Sequence, residues 1–151
     1  MDSIDRKILA LLQEDGRLTV TDLAARVGLS LSPCHRRLRD MERAGIIRGY
    51  RALVNPAAVG LTFQALVFVT MRQEDRDTLL GFEAAVAGIP QVIQAQRLFG
   101  DPDYLLRIVT ADLQAYQQLE DDVLAALPGV QRLNSTLVMK QVVDERPLPE
   151  V

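Results

Sequence analysis

The sequence is poor in the residues that metal centres, disulfide frameworks and nucleophilic active sites require. Its 151 residues include one cysteine, one histidine and no tryptophan. A single cysteine excludes an internal disulfide framework and fits a reducing compartment. Cys34 and His35 are neighbours, so on a helix they point about 100° apart, whereas a zinc site takes at least three protein ligands. We therefore predict no metal site, no catalytic residues and no cofactor, and we interpret Cys34 as a small core residue.

Long apolar runs are missing as well. No segment is long and apolar enough to span a bilayer, and MDSIDRKIL at the N-terminus lacks the basic start and apolar centre of a secretory signal. These absences predict a cytoplasmic protein with no membrane partner.

Positive charge is scarce overall but unevenly placed. The net charge of −3 speaks against nucleic-acid binding when taken alone. Residues 1–60, however, hold 10 basic and 7 acidic residues, a net +3, while residues 61–151 hold 7 basic and 13 acidic residues, a net −6. This asymmetry predicts two modules with different partners.

The N-terminal segment has the apolar spacing and capping residues of helices. The pattern over residues 2–15 predicts a helix with its apolar side chains on one face. A second, shorter helix follows Thr19, which forms a capping-box pattern with Asp22, and it ends at Gly28.

A third helix and a small wing are predicted next. Ser30 or Ser32 can cap the helix, and Pro33 fits its first position, where a missing N–H costs nothing. The segment IIRGYRALV, residues 46–54, predicts two short β segments broken at Gly49.

The third helix has a basic face. On a helical wheel, Cys34, Leu38 and Met41 lie close together on one side. The arginines lie near the opposite side, with His35 and Arg37 between the two. A solvated basic face is the ordinary interpretation of such a run, but here the run coincides with helix-turn-helix spacing over residues 21–44. We therefore predict binding to double-stranded DNA, with association with the nucleoid. The predicted DNA contacts are Ser30, Ser32, His35, Arg36, Arg37, Arg39, Arg43, Arg48 and Arg51.

The pattern changes after the Pro- and Gly-containing connector 55–61. The following residues predict the order β-α-β-β-α-β, two β-α-β units that form a ferredoxin-like α+β sandwich. The fold class is thus α+β, with a winged helix-turn-helix domain over residues 1–54 and a second domain over residues 62–151. Because one face of the sheet needs covering, we expect at least a dimer, paired through the sheets.

The ordered set of motifs resembles the Lrp/AsnC family of transcription regulators along nearly the full chain. The segments that carry the resemblance are IDRKIL (4–9), VGLS (27–30), Arg37-Leu38 with Met41-Glu42, AGII (44–47), GDPDYLLRI (100–108) and LPGV (127–130). The resemblance implies a winged helix-turn-helix joined to a βαββαβ sensor domain, and dimers that assemble into octamers or related forms. It also implies that a small amino acid binds in the sensor domains, between dimers, and changes assembly or DNA affinity.

The resemblance places the effector site at the turn formed by Gly100, Asp101, Pro102 and Asp103. Backbone N–H groups near the glycine can bind a carboxylate, and either aspartate can accept from an ammonium group. Ser135 and Thr136 on the last strand are further candidate contacts. The same residue types also suit an ordinary hairpin turn. Pro102 departs from the aromatic residue often found there, and it removes one N–H donor.

Two alternatives remain at this point. One is an enzyme like the haem-biosynthesis decarboxylases that share this architecture, and the other is an assembly module that has lost DNA binding. The single histidine lies in the third helix, far in sequence from the second domain, which opposes the enzyme. The arginines of the third helix oppose the second alternative.

Overall fold

The computed structural model describes residues 1–149, which fall into two compact units. Residues 1–53 and 142–149 form what we call the helical unit, and residues 54–141 form the sheet unit. The C-terminal tail is therefore grouped with the helical unit by its contacts. No helix within residues 1–149 combines the length and apolar character needed to cross a membrane.

The helical unit contains the three predicted helices, which begin directly after Asp2, Thr19 and Ser30, and the second ends at Gly28 as predicted. They are α1 (Ser3–Glu14), α2 (Val20–Val27) and α3 (Leu31–Arg43). The Asp2 carboxylate accepts from the N–H groups of Ile4 and Asp5 at 2.9 and 3.0 Å, which satisfies two donors at the start of α1. Thr19 and Asp22 form the predicted capping box of α2. These helices pack around a core of Ile8, Leu23, Ala24, Cys34, Leu38 and Met41.

Pro33 lies at the third position of α3, so the prediction of the first position was wrong. The helix begins at Leu31 after Ser30, and the Ser30 side chain makes no capping hydrogen bond. The proline is still tolerated because N–H groups throughout the first turn have no intrahelical acceptor.

The two short β segments predicted for residues 46–54 are not formed. Within residues 1–149, no strand precedes Phe63. The N–H groups of Ile46 and Ile47 both donate to the Met41 carbonyl oxygen, at 3.0 and 3.2 Å. The segment therefore starts as the cap of α3, and its first donors are unavailable for a hairpin ladder.

The sheet unit has the predicted β-α-β-β-α-β order, which confirms the α+β fold class. Its elements are β1 (Phe63–Met71), α4 (Arg76–Ala87), β2 (Val92–Arg97), β3 (Tyr104–Thr110), α5 (Leu113–Leu119) with a π-helical turn (Glu120–Leu124), and β4 (Val130–Leu137). The strands lie in the order β2-β3-β1-β4, and every neighbouring pair is antiparallel. A short 3-10 helix (Ala57–Val59) precedes β1.

The two faces of the sheet differ in cover. Ala65, Val67, Val69 and Met71 alternate along β1 and are buried with side chains of the helices in one core. The residues between them on β1 face the other side and are only half-buried. We call this second side the open face.

Candidate nucleic-acid interface and effector loop

The outward side of α3 carries exposed basic side chains because its opposite side is buried. Cys34, Leu38 and Met41 enter the core of the helical unit, as the sequence predicted. With these positions fixed, the helix period turns a different set of side chains to solvent. The exposed residues of the set predicted to contact DNA are Ser30, Ser32, His35, Arg36, Arg39, Arg43, Arg48 and Arg51.

The exposed arginines differ in whether a carboxylate already pairs with them. Within residues 1–149, Arg36 and Arg48 make no ion pair, whereas Arg43 pairs with Asp40 and Arg51 pairs with Glu145 at 2.7 Å. Exposed ion pairs are worth about 0–1 kcal/mol, so a phosphate can replace either carboxylate at little cost.

Arg37 is placed differently from the other arginines. Its side chain is 29% exposed, and its Nη1 donates to Asp2 Oδ2 at 2.7 Å and to Asp5 Oδ1 at 2.8 Å. The backbone N–H of Asp5, and then the Arg37 guanidinium, hold the pKa of Asp2 below its usual value. Arg37 thus ties α3 to the capping box of α1, and this geometry favours a structural role over DNA contact.

Leu31 is an exposed apolar residue outside the set predicted to contact DNA. It is the first residue of α3 and is 54% exposed, next to Ser32. Apolar side chains at such positions can contact thymine methyl groups in a major groove. The available signal was an apolar residue directly after a helix cap.

The loop between β2 and β3 uses one of its two aspartates for structure. Asp103 Oδ2 accepts from the Met71 N–H at 2.6 Å, and the Asp103 N–H donates to the Val69 carbonyl oxygen at 2.9 Å. Asp103 therefore anchors the loop to the end of β1. Asp101 is exposed, and Gly100 has a φ of 133°, a conformation that favours glycine. Of the two aspartates, Asp101 is the more exposed.

Ser135 and Thr136 lie on opposite faces of the sheet. Ser135 is on the helix-covered face, where its Oγ is hydrogen-bonded to Tyr116 Oη and donates to Glu120 Oε2 at 3.3 Å. Burial raises the pKa of Tyr116 to about 12. Thr136 pairs with Leu66 and is exposed on the open face. The two side chains therefore point to different surfaces of the sheet.

We expect Asp103→Ala to lower the melting temperature and Asp101→Ala to leave it unchanged. The first substitution leaves the Met71 N–H without its acceptor, which lowers the free energy of unfolding by about 1–3 kcal/mol. The second removes an exposed side chain and should reduce only the response to an amino acid. Melting curves and ligand titration of both variants check this. An unchanged melting temperature in Asp103→Ala would show that its hydrogen bond does not stabilise the loop.

Comparison with known proteins assigns a family to both units. Residues 1–48 match the winged helix-turn-helix DNA-binding family, and residues 64–148 match the Lrp/AsnC ligand binding domain. The chain belongs to the Lrp/AsnC family. It is therefore a transcription regulator with a DNA-binding domain in the helical unit and an amino-acid-binding domain that comprises the sheet unit from residue 64 together with residues 142–148.

The matches to individual Lrp/AsnC proteins extend over nearly the full length. The chain is 41% identical over 144 residues to the leucine-responsive regulatory protein of Rhizobium meliloti, covering 95% of this chain and 92% of that protein. It is 39% identical over 142 residues to the Bkd operon transcriptional regulator of Pseudomonas aeruginosa, covering 94% and 93%.

Solved structures of the Lrp/AsnC fold agree closely with this one. A transcriptional regulator of Neisseria meningitidis, solved as a complex with L-Met, has a TM-score of 0.92 and 41% identity, covering 99% of this chain and 96% of its own. An AsnC family regulator from Agrobacterium tumefaciens has a TM-score of 0.92 and 38% identity, covering 99% and 97%.

Proposed function

We propose that this Lrp/AsnC regulator inserts α3 into a DNA major groove. The observation that carries the proposal is the exposed arginine row of α3, set opposite a buried stripe on the same helix. Arg36 and Arg39 lie mid-helix and reach base edges, beside Ser32 and His35. Arg43, Arg48 and Arg51 bind phosphates, which positions the helix without reading sequence.

The amino acid that binds the sheet unit acts as the effector, and its binding changes DNA affinity or assembly. The family match of residues 64–148 and the L-Met complex of the Neisseria relative support an amino-acid ligand. Exposed Asp101 and the backbone near Gly100 offer an acceptor for its ammonium group and donors for its carboxylate. L-Met is the first amino acid to test.

The regulator acts as a dimer paired through the open faces, with an octamer or related form as the larger assembly. Half-buried Leu66 and Phe68 on the open face favour a covering partner, and fully exposed Phe99 beside the effector loop favours a second contact. A two-fold dimer would present two α3 helices to half-sites about one helical turn, or a multiple of it, apart. The protein would then act on the nucleoid in the cytoplasm.

A gel shift on the DNA upstream of its own gene, with and without each amino acid, tests the function. A specific shift whose midpoint moves with one amino acid supports it. Light scattering in parallel gives the assembly, and a monomer at micromolar concentration would contradict the pairing of sheets. Equal affinity for the upstream region and for unrelated DNA would contradict sequence-specific binding.

The enzyme alternative is tested separately. The relatives reported above are named as regulators, which favours regulation over haem chemistry. Titration with haem should produce no new absorbance band, whereas a saturable band would reopen the alternative.

A further inference from the structure

Two leucines lie where the chain enters α3, and the fold uses them differently. Leu29 is half-buried and packs against the core of the helical unit. Leu31, two residues later, is 54% exposed and lies outside that core. Among the thirteen residues of α3, all of which the structure describes, Leu31 is the only exposed large apolar side chain. The helical unit therefore uses Leu29 for packing and leaves Leu31 to the solvent.

Leu31 is in line with side chains that the proposed function places in the major groove. Residues four apart are neighbours on a helix, so Leu31, His35 and Arg39 follow one another along one row. Arg39 Nε donates to His35 Nε2 at 3.4 Å, so the second and third members of this row are in contact. Ser30, next to Leu31, is exposed and makes no capping hydrogen bond, so its hydroxyl group is available to a phosphate. The start of α3 can thus be held against DNA with Leu31 facing the bases.

The chemistry of the major groove determines which base an exposed leucine can favour. Of the groups that base pairs present there, the thymine C5-methyl is the apolar one, and the others are hydrogen-bond donors and acceptors. The N-terminal residues of a recognition helix are those that contact base edges. A leucine at this position therefore gains from a thymine. Opposite a base pair without that methyl group, it covers polar groups with which it cannot form hydrogen bonds.

We propose that Leu31 makes the regulator prefer thymine at one position of each half-site, by packing against the thymine C5-methyl group. The inference rests on the proposed insertion of α3 into the major groove, and it adds a residue that selects a base without a hydrogen bond. Leu31 and Arg36 are five residues apart, which is about 7.5 Å along a helix and about two base pairs along DNA. The preferred thymine should lie within about two to four base pairs of the base that Arg36 contacts.

Gel shifts on uracil-containing duplexes test this preference, because uracil differs from thymine only in lacking the C5-methyl group. The probe is the segment upstream of the regulator's own gene that the protein protects from nuclease, synthesised with one thymine at a time replaced by uracil. At one position in each half-site, uracil should weaken binding of the unmodified protein about fourfold, equivalent to about 0.8 kcal/mol for one buried methyl group. At the same position, 5-methylcytosine should bind better than cytosine, since it restores the methyl group.

Variants of Leu31 identify the side chain that contacts the methyl group. Leu31→Ala should bind the thymine and uracil duplexes equally, and its melting temperature should be unchanged because the side chain is exposed. Leu31→Met keeps an apolar side chain of similar volume and should keep most of the uracil effect. Leu80→Ala is the matched control: Leu80 is 49% exposed on α4 of the sheet unit, so this variant should show the full uracil effect.

A series of duplexes in which no uracil lowers affinity overturns the proposal, while a specific shift on the thymine duplex still supports DNA binding. An undiminished uracil effect in Leu31→Ala also overturns it, because another side chain then contacts the methyl group. So does an equal loss on both duplexes with a lower melting temperature, or with a changed assembly by light scattering, since Leu31 then serves the fold or an interface between copies. Equal affinity of the unmodified protein for this segment and for unrelated DNA contradicts sequence-specific binding, and the proposal falls with it.

Discussion

Replacing Arg36 by alanine is expected to weaken binding to the specific DNA site by about 1–3 kcal/mol, roughly five- to 150-fold in Kd. Arg36 is exposed on the outward side of α3 and makes no ion pair within residues 1–149, so its guanidinium is available to a guanine edge. Because the lost contact is to a base, the preference for the specific site over unrelated DNA should fall as well. Gel shifts at fixed salt measure both quantities.

Arg37→Ala and Arg43→Ala are the matched controls on the same helix. Arg37 is bound to Asp2 and Asp5, so its loss should lower the melting temperature of the helical unit and change DNA affinity little below that temperature. Loss of Arg43 should weaken specific and unrelated DNA alike and reduce the salt slope by about one. If Arg36→Ala leaves specific affinity unchanged, α3 does not read bases through this residue.

Gly129→Ala is expected to destabilise the sheet unit by about 2–5 kcal/mol. The glycine has a φ of 73°, which costs an L-residue about 1–2 kcal/mol. Its Cβ would lie 2.3 Å from Thr78 Cγ2 and 3.0 Å from Met71 Cε. Thr78 cannot turn away freely, because its Oγ1 donates to Asp75 Oδ2 at 2.7 Å and its N–H donates to Oδ1 at 3.0 Å. The melting temperature should fall by roughly 10 °C or more.

Gly60→Ala separates the backbone cost from the steric cost. Gly60 lies in the same unit with a φ of 81°, and a Cβ there would meet nothing within 4 Å. It should therefore lose only the backbone part, about 1–2 kcal/mol. Adding Thr78→Ser to Gly129→Ala removes the clashing methyl group and keeps the capping hydroxyl, so it should restore part of the lost stability. Equal melting temperatures for Gly60→Ala and Gly129→Ala would exclude the steric term.

Local patterns were sufficient to predict the helices and the β-α-β-β-α-β order of elements along the chain. The boxes Asp2–Asp5 and Thr19–Asp22 act within one turn, so residue type and spacing determine them. The alternation of buried and half-buried side chains along β1 likewise shows which of them face the helices. The opposite faces of Ser135 and Thr136 follow from the same alternation, although the prediction grouped the two residues in one site.

Interactions distant in sequence could not be predicted in this way. A helical wheel places Arg37 beside the basic face, but its partners Asp2 and Asp5 lie on another helix. Asp103 has the residue type of a turn or a ligand contact, and only the position of Met71 shows which of its bonds forms. The segment after α3 has β-forming residues, yet the Met41 carbonyl oxygen takes its first two donors.

Cys34 allows a thiol reagent to report on the helical unit separately from the sheet unit. It is the only cysteine of the chain, its side chain is fully buried, and burial raises the pKa of its thiol. A thiol reagent can therefore modify it only when the helical unit opens, while the sheet unit contains no thiol to react. The labelling rate of the unmodified protein thus measures the opening of the DNA-binding unit. Arg37→Ala should accelerate this labelling, and Gly129→Ala should leave it unchanged.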